Sequence, residues 1–226
     1  MNSAIIVAAG SGTRFGAAKP KQFLEIGGKP LIFHTLERFE NCDAIDEIIL
    51  VLAENEIQNF RRIARNHKIK KLKKTITGGK TRAESVSNGL KAINDKCEIV
   101  AVHDGARPLV TKEEIAACVE KARETGAACL TAKVTDTIKR VENGNIAATI
   151  DRETLRRALT PQCFKTEILR KAFKKADLNE SATDECFLVE KIGCEIAYVD
   201  GSATNIKITH REDWILAEIL LKQSEK

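Results

Sequence analysis

The segment AAGSGTRFGAAKPKQ, residues 8–22, combines three glycines with basic side chains directly after the first apolar run of the chain. The glycines allow backbone N–H groups to approach an anion closely. Arg14 offers a planar fork to phosphate oxygens, and Lys21 offers a compact, mobile charge. The G-x-G-x-x-x-G spacing is one residue longer than a dinucleotide fingerprint, and no G-K-[ST] follows as a P-loop requires. The segment therefore predicts a different kind of nucleotide site, unless it is only a tight turn with two surface cations.

Two further segments place polar residues after strand-like runs. HDGARP puts Asp104 and Arg107 just past an apolar run, where a carboxylate can bind Mg²⁺ together with substrate phosphates. GGKTRAES has two glycines that let a flat base or ribose lie on the backbone, with Ser85 within reach. A P-loop is excluded here because Lys74 stands where its first glycine would be. The alternatives are a turn cap for Asp104 and an ordinary turn for the glycines.

Two further basic residues become candidates for phosphate binding when all the basic residues singled out are counted together. Arg152 ends a β-prone segment, and Lys207 lies in the short stretch NIKIT. With Arg14, Lys21 and Arg107 they make five cations. That is more than one phosphate needs, and it is enough for a triphosphate and a second phosphorylated substrate.

Strand-like and helix-like patterns alternate over the first 134 residues. Strands are predicted at 4–8, 47–53, 72–77, 98–103 and 127–134, and helices at 29–39, 82–93 and 111–126. The last of these helices opens with a capping box from Thr111 to Glu114 and stops at Gly126. This alternation predicts an α/β fold, a mostly parallel sheet with helices on both faces. Ligands bind such sheets outside the carboxyl ends of the strands.

The pattern changes at residues 135–152, where two β-prone segments flank Asn143-Gly144, a strong hairpin signal. A hairpin protruding from such a sheet cannot bury both of its faces, so we expect it to pack against a second subunit. Helices are predicted at 166–176 and 183–192, with strands at EIAYV and NIKIT. A last helix follows a capping box from Thr209 to Glu212. We therefore expect one domain over 1–226 with a β-hairpin arm at about 135–152.

Composition narrows the class of protein. The net charge is +5 and aromatic residues are 4%, which argues against a stacking platform for single-stranded nucleic acid. Seven cysteines without a C-x-x-C pair indicate reduced, mostly buried thiols. The start MNSAIIVAAG lacks a basic n-region, and no apolar run approaches membrane-spanning length. We expect a cytoplasmic protein that binds neither nucleic acid nor membrane.

Seven short motifs occur in order along nearly the whole chain. They are A-A-G-x-G-x-R with P-K-Q (8–14, 20–22), G-G-x-x-R-x-x-S (78–85), H-D-x-A-R-P (103–108), D-T-x-K (136–139), D-R with A-L-T-P-Q (151–162), T-D-E (183–185) and N-I-K (205–207). In this combination the chain closely resembles the 2-C-methyl-D-erythritol 4-phosphate cytidylyltransferase family of the non-mevalonate isoprenoid pathway. The resemblance implies a Rossmann-like nucleotidyltransferase fold, a homodimer formed through the β-arm, and Mg²⁺ as cofactor.

The resemblance also implies roles for the matching residues. The CTP triphosphate is expected at Ala8, Ala9, Gly10, Gly12, Arg14 and Lys21. Cytosine is expected at Gly78, Gly79 and Ser85, with Asp104 beside the Mg²⁺ and the ribose. Methylerythritol phosphate is expected at Arg107, Thr137 and Thr160, with Arg152 reaching its phosphate from the neighbouring subunit. Lys207 would complete the cationic pocket, and Arg14, Lys21 and Lys207 would be the catalytic cations.

The implied reaction is transfer of CMP from CTP to methylerythritol phosphate. The ribitol-5-phosphate cytidylyltransferases are the nearest alternative, although IDRETLRRALTPQ and DTIKR are more similar to the methylerythritol enzymes. A nucleotide-binding regulator without turnover is the alternative from another class, and the intact cationic set argues against it. Two positions depart from the family pattern: Lys80 and Thr204 stand where an acidic residue is common.

Overall fold

The computed structural model describes residues 1–10, 15, 20–176 and 184–224. Its strands are β1 (Asn2–Ala8), β2 (Glu25–Ile26), β3 (Lys29–Pro30), β4 (Glu47–Leu52), β5 (Leu72–Thr77), β6 (Ile99–Asp104), β7 (Ala127–Lys133), β8 (Ile138–Glu142), β9 (Asn145–Ile150), β10 (Arg156–Lys165) and β11 (Ala197–Asp200). Its helices are α1 (Leu31–Glu40), α2 (Ile57–Ala64), α3 (Arg82–Ala92), α4 (Lys112–Thr125), α5 (Thr166–Lys175), α6 (Glu185–Lys191) and α7 (Arg211–Ser224).

The central sheet has seven strands in the order β11-β7-β10-β6-β1-β4-β5. Strand β10 is antiparallel to both β6 and β7, whereas the other neighbouring pairs are parallel. The mostly parallel α/β sheet is therefore confirmed, and the five strands predicted in the first 134 residues all lie in it. The sequence reading missed β10, which inserts antiparallel between two of them.

Apolar side chains cover both faces of this sheet. Ile6 of β1 packs in one core cluster with residues of α1 and α4, while Ile5 packs in a second cluster with residues of α3. Gly89 lets α3 lie directly on β1, because a Cβ at that position would come within 2.5 Å of the Ile5 Cγ2 atom. Successive residues of a strand point to opposite faces, so β1 anchors both helical layers. Helices on both faces are confirmed.

The capping box predicted for α4 is present, with Thr111 and Glu114 exchanging both hydrogen bonds, and the helix ends at Gly126 with φ 95°.

Two other predicted local signals, the strand at NIKIT and the capping box before the last helix, differ from the structure. The predicted strand at NIKIT is wrong, because residues 205–209 are irregular. Before α7, the Asp213 carboxylate accepts from the backbone N–H of Thr209 and of residue 210, at 2.8 and 2.7 Å. The acceptor at this helix start is therefore Asp213 and not Glu212.

The predicted hairpin forms a two-stranded sheet of its own from β8 and β9. Its turn has positive φ at Asn143 (50°) and Gly144 (79°), as the primed hairpin turns require. Val141 and Ile146 on its two strands are 60% and 68% exposed. The hairpin thus leaves apolar side chains uncovered within a single chain.

Six of the seven cysteines are buried, and Cys194 is partly exposed. The prediction of mostly buried thiols agrees with this placement. Among the described residues, no helix is both long and apolar enough to cross a membrane.

Candidate active site

A cavity of about 270 Å³ opens at the carboxyl ends of β1 and β6. Eight of the residues singled out from the sequence line it: Ala8, Ala9, Gly10, Lys21, Gly79, Ser85, Asp104 and Lys207. They come from four separate segments of the chain. Parallel strands end at the same edge of a sheet, which is why distant segments meet here.

The end of β1 forms the floor of this cavity. The Gln22 side chain donates to the Ala8 carbonyl oxygen at 3.1 Å, which ties Gln22 to the strand end. The Lys21 ammonium donates to the carbonyl oxygen of Ile208 at 2.6 Å. These two contacts place Lys21 and Gln22 at the end of β1 and beside residue 208. Gly12 and Arg14, which were predicted for the same loop, lie outside the described residues.

Asp104 is the centre of charge in the cavity. Its Oδ1 atom lies 3.2 Å from Nε of Arg82, and its Oδ2 atom lies 3.3 Å from Nε of Arg107 and 2.9 Å from Nζ of Lys207. Burial alone would raise the pKa of Asp104, but the charges of Arg82, Lys207 and Arg107 hold this pKa well below its usual range. The carboxylate therefore stays ionised at neutral pH.

Arg82 also contacts a second carboxylate, that of Glu185 at the start of α6. Its Nη1 atom lies 2.6 and 2.8 Å from the two oxygens of Glu185. Burial raises the pKa of Glu185, and the guanidinium opposes this shift. Sequence reasoning singled out neither residue for a role. They are 103 positions apart, and no local pattern indicates that such residues meet.

The turn before α3 is organised by its own side chains. The backbone N–H of Gly79 donates to Ser85 Oγ at 3.0 Å, and that hydroxyl donates to the Thr81 carbonyl oxygen at 2.9 Å. The Glu84 carboxylate accepts from the backbone N–H of Lys80 at 2.6 Å. A Cβ at Gly79 would come within 2.2 Å of the Glu84 Cβ atom, so only glycine fits. At Lys80 the contact is made through the backbone, which makes the side chain at this position unimportant for the turn.

A buried histidine supports the Asp104 strand end from behind. His103 Nε2 lies 3.1 Å from the carbonyl oxygen of Arg107, so Nε2 carries the proton. Its Nδ1 then accepts from the Thr160 hydroxyl at 2.9 Å, and that hydroxyl accepts from the Asp104 N–H at 3.2 Å. Burial lowers the pKa of His103 to about 4. The ring is therefore neutral at pH 7.

Comparison with known proteins decides the family. The model of the 2-C-methyl-D-erythritol 4-phosphate cytidylyltransferase family matches residues 2–223. The chain belongs to this family. The enzyme of that name from Halalkalibacterium halodurans is 43% identical over 225 residues, covering 99% of this chain and 98% of the relative.

Solved structures of family members share the fold. The 4-diphosphocytidyl-2C-methyl-D-erythritol synthase from Anaerococcus prevotii has a TM-score of 0.86 at 30% identity, with 98% of each chain covered. The 2-C-methyl-D-erythritol 4-phosphate cytidylyltransferase from Thermus thermophilus has a TM-score of 0.79 at 33% identity, covering 98% of this chain and 100% of that one. The α/β nucleotidyltransferase fold expected from the sequence is thus confirmed.

The other predicted site residues that the structure describes do not line the cavity. The N–H of Gly78 donates to the Leu52 carbonyl oxygen at 2.8 Å, and Thr160 is buried. Nη1 of Arg107 donates to the Asn205 carbonyl oxygen at 2.8 Å. Thr137 and Arg152 are exposed at the base of the hairpin, and Nη1 of Arg152 donates to the carbonyl oxygen of residue 135 at 2.8 Å.

The donors around Asp104 limit how a divalent cation could be held. Among the described residues, no group of three or more His, Cys, Asp or Glu side chains has the arrangement of a metal site. Mg²⁺ commonly uses one or two carboxylates and completes its shell with substrate phosphates and water. A single carboxylate such as Asp104 fits that pattern. Lys207 and Arg107 would then have to leave Oδ2 and bind substrate phosphates instead, so that this oxygen is open to the cation.

Proposed function

We propose that the chain transfers CMP from CTP to 2-C-methyl-D-erythritol 4-phosphate, which gives 4-diphosphocytidyl-2-C-methyl-D-erythritol and pyrophosphate. Membership of the cytidylyltransferase family over residues 2–223 carries this assignment. The cluster of Arg82, Arg107 and Lys207 around Asp104 supports it, because such a cleft suits a substrate with several phosphates.

The nucleotide is proposed to lie between the carboxyl end of β1 and the start of α3. Backbone N–H groups of Ala8, Ala9, Gly10 and Gly12, together with the Arg14 and Lys21 side chains, would hold its triphosphate. The turn at Gly78 and Gly79, shaped by Ser85, would receive the cytosine. Lining of one cavity by both segments supports this arrangement.

The second substrate is proposed to lie toward the hairpin, where Arg107, Thr137 and Thr160 would bind it. Arg152 would reach its phosphate from a neighbouring subunit. The Thr160 hydroxyl donates to His103 Nδ1 and accepts from the Asp104 N–H, so its contact with the substrate would use the remaining lone pair of its oxygen.

In the proposed mechanism, a phosphate oxygen of methylerythritol phosphate attacks the α-phosphorus of CTP in line. A new P–O bond forms while the bond from the α-phosphorus to the β-phosphate oxygen breaks, and that electron pair leaves with pyrophosphate. The nucleophile is already an anion, so no strong general base is needed. His103 is unsuited to that task, because its ring is buried and both of its nitrogens are occupied.

The cations of the chain carry out most of the proposed catalysis. Lys21 and Lys207 would neutralise charge that grows on the α-phosphate and on the leaving group, and they would hold two mutually repelling anions in contact. Asp104 would hold the Mg²⁺ cofactor, which supplies further charge neutralisation at the phosphates when it is bound.

A homodimer joined through the β8–β9 hairpin is part of the proposal. An isolated two-stranded hairpin is at best marginally stable in water, and this one exposes Val141 and Ile146. Packing against a second copy would cover both. We also propose a cytoplasmic location, which the seven free cysteines support because reduced thiols persist in reducing compartments.

Pyrophosphate release from CTP and Mg²⁺ tests the function directly, with methylerythritol phosphate and ribitol 5-phosphate offered in parallel reactions. We expect turnover with the first substrate alone. Turnover with ribitol 5-phosphate alone would retain the CTP site and refute the second-substrate assignment. A folded protein that binds CTP without turnover of either substrate would instead be a nucleotide-binding regulator.

A further inference from the structure

Glu185 lies at the start of α6 with only 1% of its surface exposed. Its position is fixed by β10, because Gln162 Oε1 accepts from the backbone N–H groups of Glu185 and Cys186 at 3.1 and 3.2 Å. The same amide donates to Asp184 at 2.8 Å, and Asp184 caps the helix by accepting from the Phe187 N–H. The backbone of Glu185 is thus fixed against β10, and its carboxylate contacts Arg82, which lines the cavity.

Arg82 divides its guanidinium between two carboxylates on different elements. Nη1 contacts both oxygens of Glu185, and Nε contacts Oδ1 of Asp104 at 3.2 Å. A guanidinium is a rigid plane, so fixing Nη1 also fixes the direction of the Nε–H bond. The Arg82 side chain is 25% exposed and lines the cavity, where phosphates would otherwise compete for it.

We propose that Glu185 is a positioning residue for Asp104 and acts through Arg82. By retaining Nη1, Glu185 limits Arg82 to a single contact with Asp104 and keeps it from turning its fork onto that carboxylate or onto the triphosphate. Asp104 thereby keeps its orientation, and Arg82 neutralises its negative charge only in part, so that the carboxylate can still bind a divalent cation. The inference rests on the proposed function, since it concerns the metal and phosphate chemistry of the same site.

Glu185→Gln is the direct test, because it removes the charge and keeps the shape. Groups that orient a metal ligand from outside typically change metal affinity or activity about 10–100-fold when replaced, so we expect the apparent Mg²⁺ activation constant to rise by about that factor. Mn²⁺ binding in the presence of CTP, followed by electron paramagnetic resonance, should weaken in parallel. CTP binding measured in EDTA should not weaken, because Arg82, released from Glu185, is then able to turn toward the triphosphate. The matched control is Glu190→Gln, which alters an exposed residue of the same helix.

A double-mutant cycle tests whether Glu185 acts through Arg82. We expect Glu185→Gln to have no further effect on the Mn²⁺ or Mg²⁺ constants in an Arg82→Met background, since interacting residues give non-additive effects. Arg82→Lys, which keeps the charge and loses the fork, should reproduce the loss even if one of the other variants folds poorly. Glu185→Asp, which keeps the charge, should weaken metal binding less than Glu185→Gln does.

The inference is overturned if Glu185→Gln and Glu190→Gln bind Mn²⁺ alike, or if the effects of the two cycle substitutions multiply. Failure of the proposed function would look different, because the wild-type protein itself would then release no pyrophosphate. The Mn²⁺ measurement needs no turnover, so it decides the positioning role in either case.

Discussion

Lys207→Ala is expected to abolish most activity while leaving the fold almost unchanged. Lys207 contributes one of three cations on Asp104, through a 2.9 Å contact, and its side chain is 37% exposed. After its removal Arg82 and Arg107 still compensate the carboxylate. Because more than a third of the Lys207 side chain is exposed, its ion pair with the buried Asp104 contributes only about 1 kcal/mol to the free energy of unfolding.

The expected loss of catalysis is much larger than this structural cost. Removing one preorganised donor from a water-poor site typically costs about 2.7–4 kcal/mol of transition-state stabilisation, or about 10²–10³ in kcat. Lys207 lines the cavity beside Lys21, where charge would develop on the phosphates during transfer. The activation barrier should therefore rise several times more than the unfolding free energy falls.

The assay pairs steady-state pyrophosphate release with urea unfolding of the same preparation. Lys222→Ala is the matched control, since it also removes a lysine from a carboxylate, 3.0 Å away on the exposed side of α7. We expect the control to match the wild type in both measurements. A kcat for Lys207→Ala within about threefold of the wild type would refute the role given to this lysine. A similar fractional loss of stability and activity would mean that the contact is structural.

Three further predictions concern other parts of the molecule. The pKa of His103 is about 4 in the folded protein, below its value in the unfolded chain. Its contribution to stability is therefore complete above about pH 6.5 and is lost as the pH falls toward 4, by roughly 3 kcal/mol. Urea unfolding measured against pH should show this slope, and His103→Gln should flatten it. Thr111→Ala removes the α4 cap and should lower the unfolding free energy by about 0.5–2 kcal/mol with kcat unchanged, whereas an unchanged urea midpoint would contradict the capping argument. Mixing inactive Arg152→Ala and Lys21→Ala proteins should restore up to about a quarter of wild-type activity through mixed dimers with one intact site, and no recovery after proven subunit exchange would count against a site shared between subunits.

The parts of the fold that follow from local patterns were predictable. The buried parallel strands read as continuous apolar runs, and Asn143-Gly144 and Thr111 signal a turn and a cap through their own chemistry. Strand β10 was missed because it begins with Arg156 and Arg157 and contains Pro161, none of which is typical of a central strand. Its pairing depends on the strands on either side, which only the tertiary structure supplies.

The candidate site divides in the same way. Asp104 could be named from its position after an apolar strand and Lys21 from the glycine-rich loop, whereas the role of Lys207 followed from the family resemblance, and the structure places all three at one cavity. The contact between Arg82 and Glu185 could not be named, because the register of α6 against α3 depends on the Gln162 amide of the missed strand. A sequence motif can include such residues, but it does not indicate which atoms their side chains contact.

Arg82, Arg107 and Lys207 carry like charges and would spread apart if no carboxylate lay between them. Asp104 is thus an internal stand-in for the anion that the cleft is proposed to receive: it keeps the cations converged and ordered before any phosphate arrives. Much of the entropy lost in gathering flexible basic side chains is then spent during folding, not during binding. A designer who neutralised Asp104 to strengthen phosphate binding would release these side chains and should obtain a looser, less discriminating anion pocket.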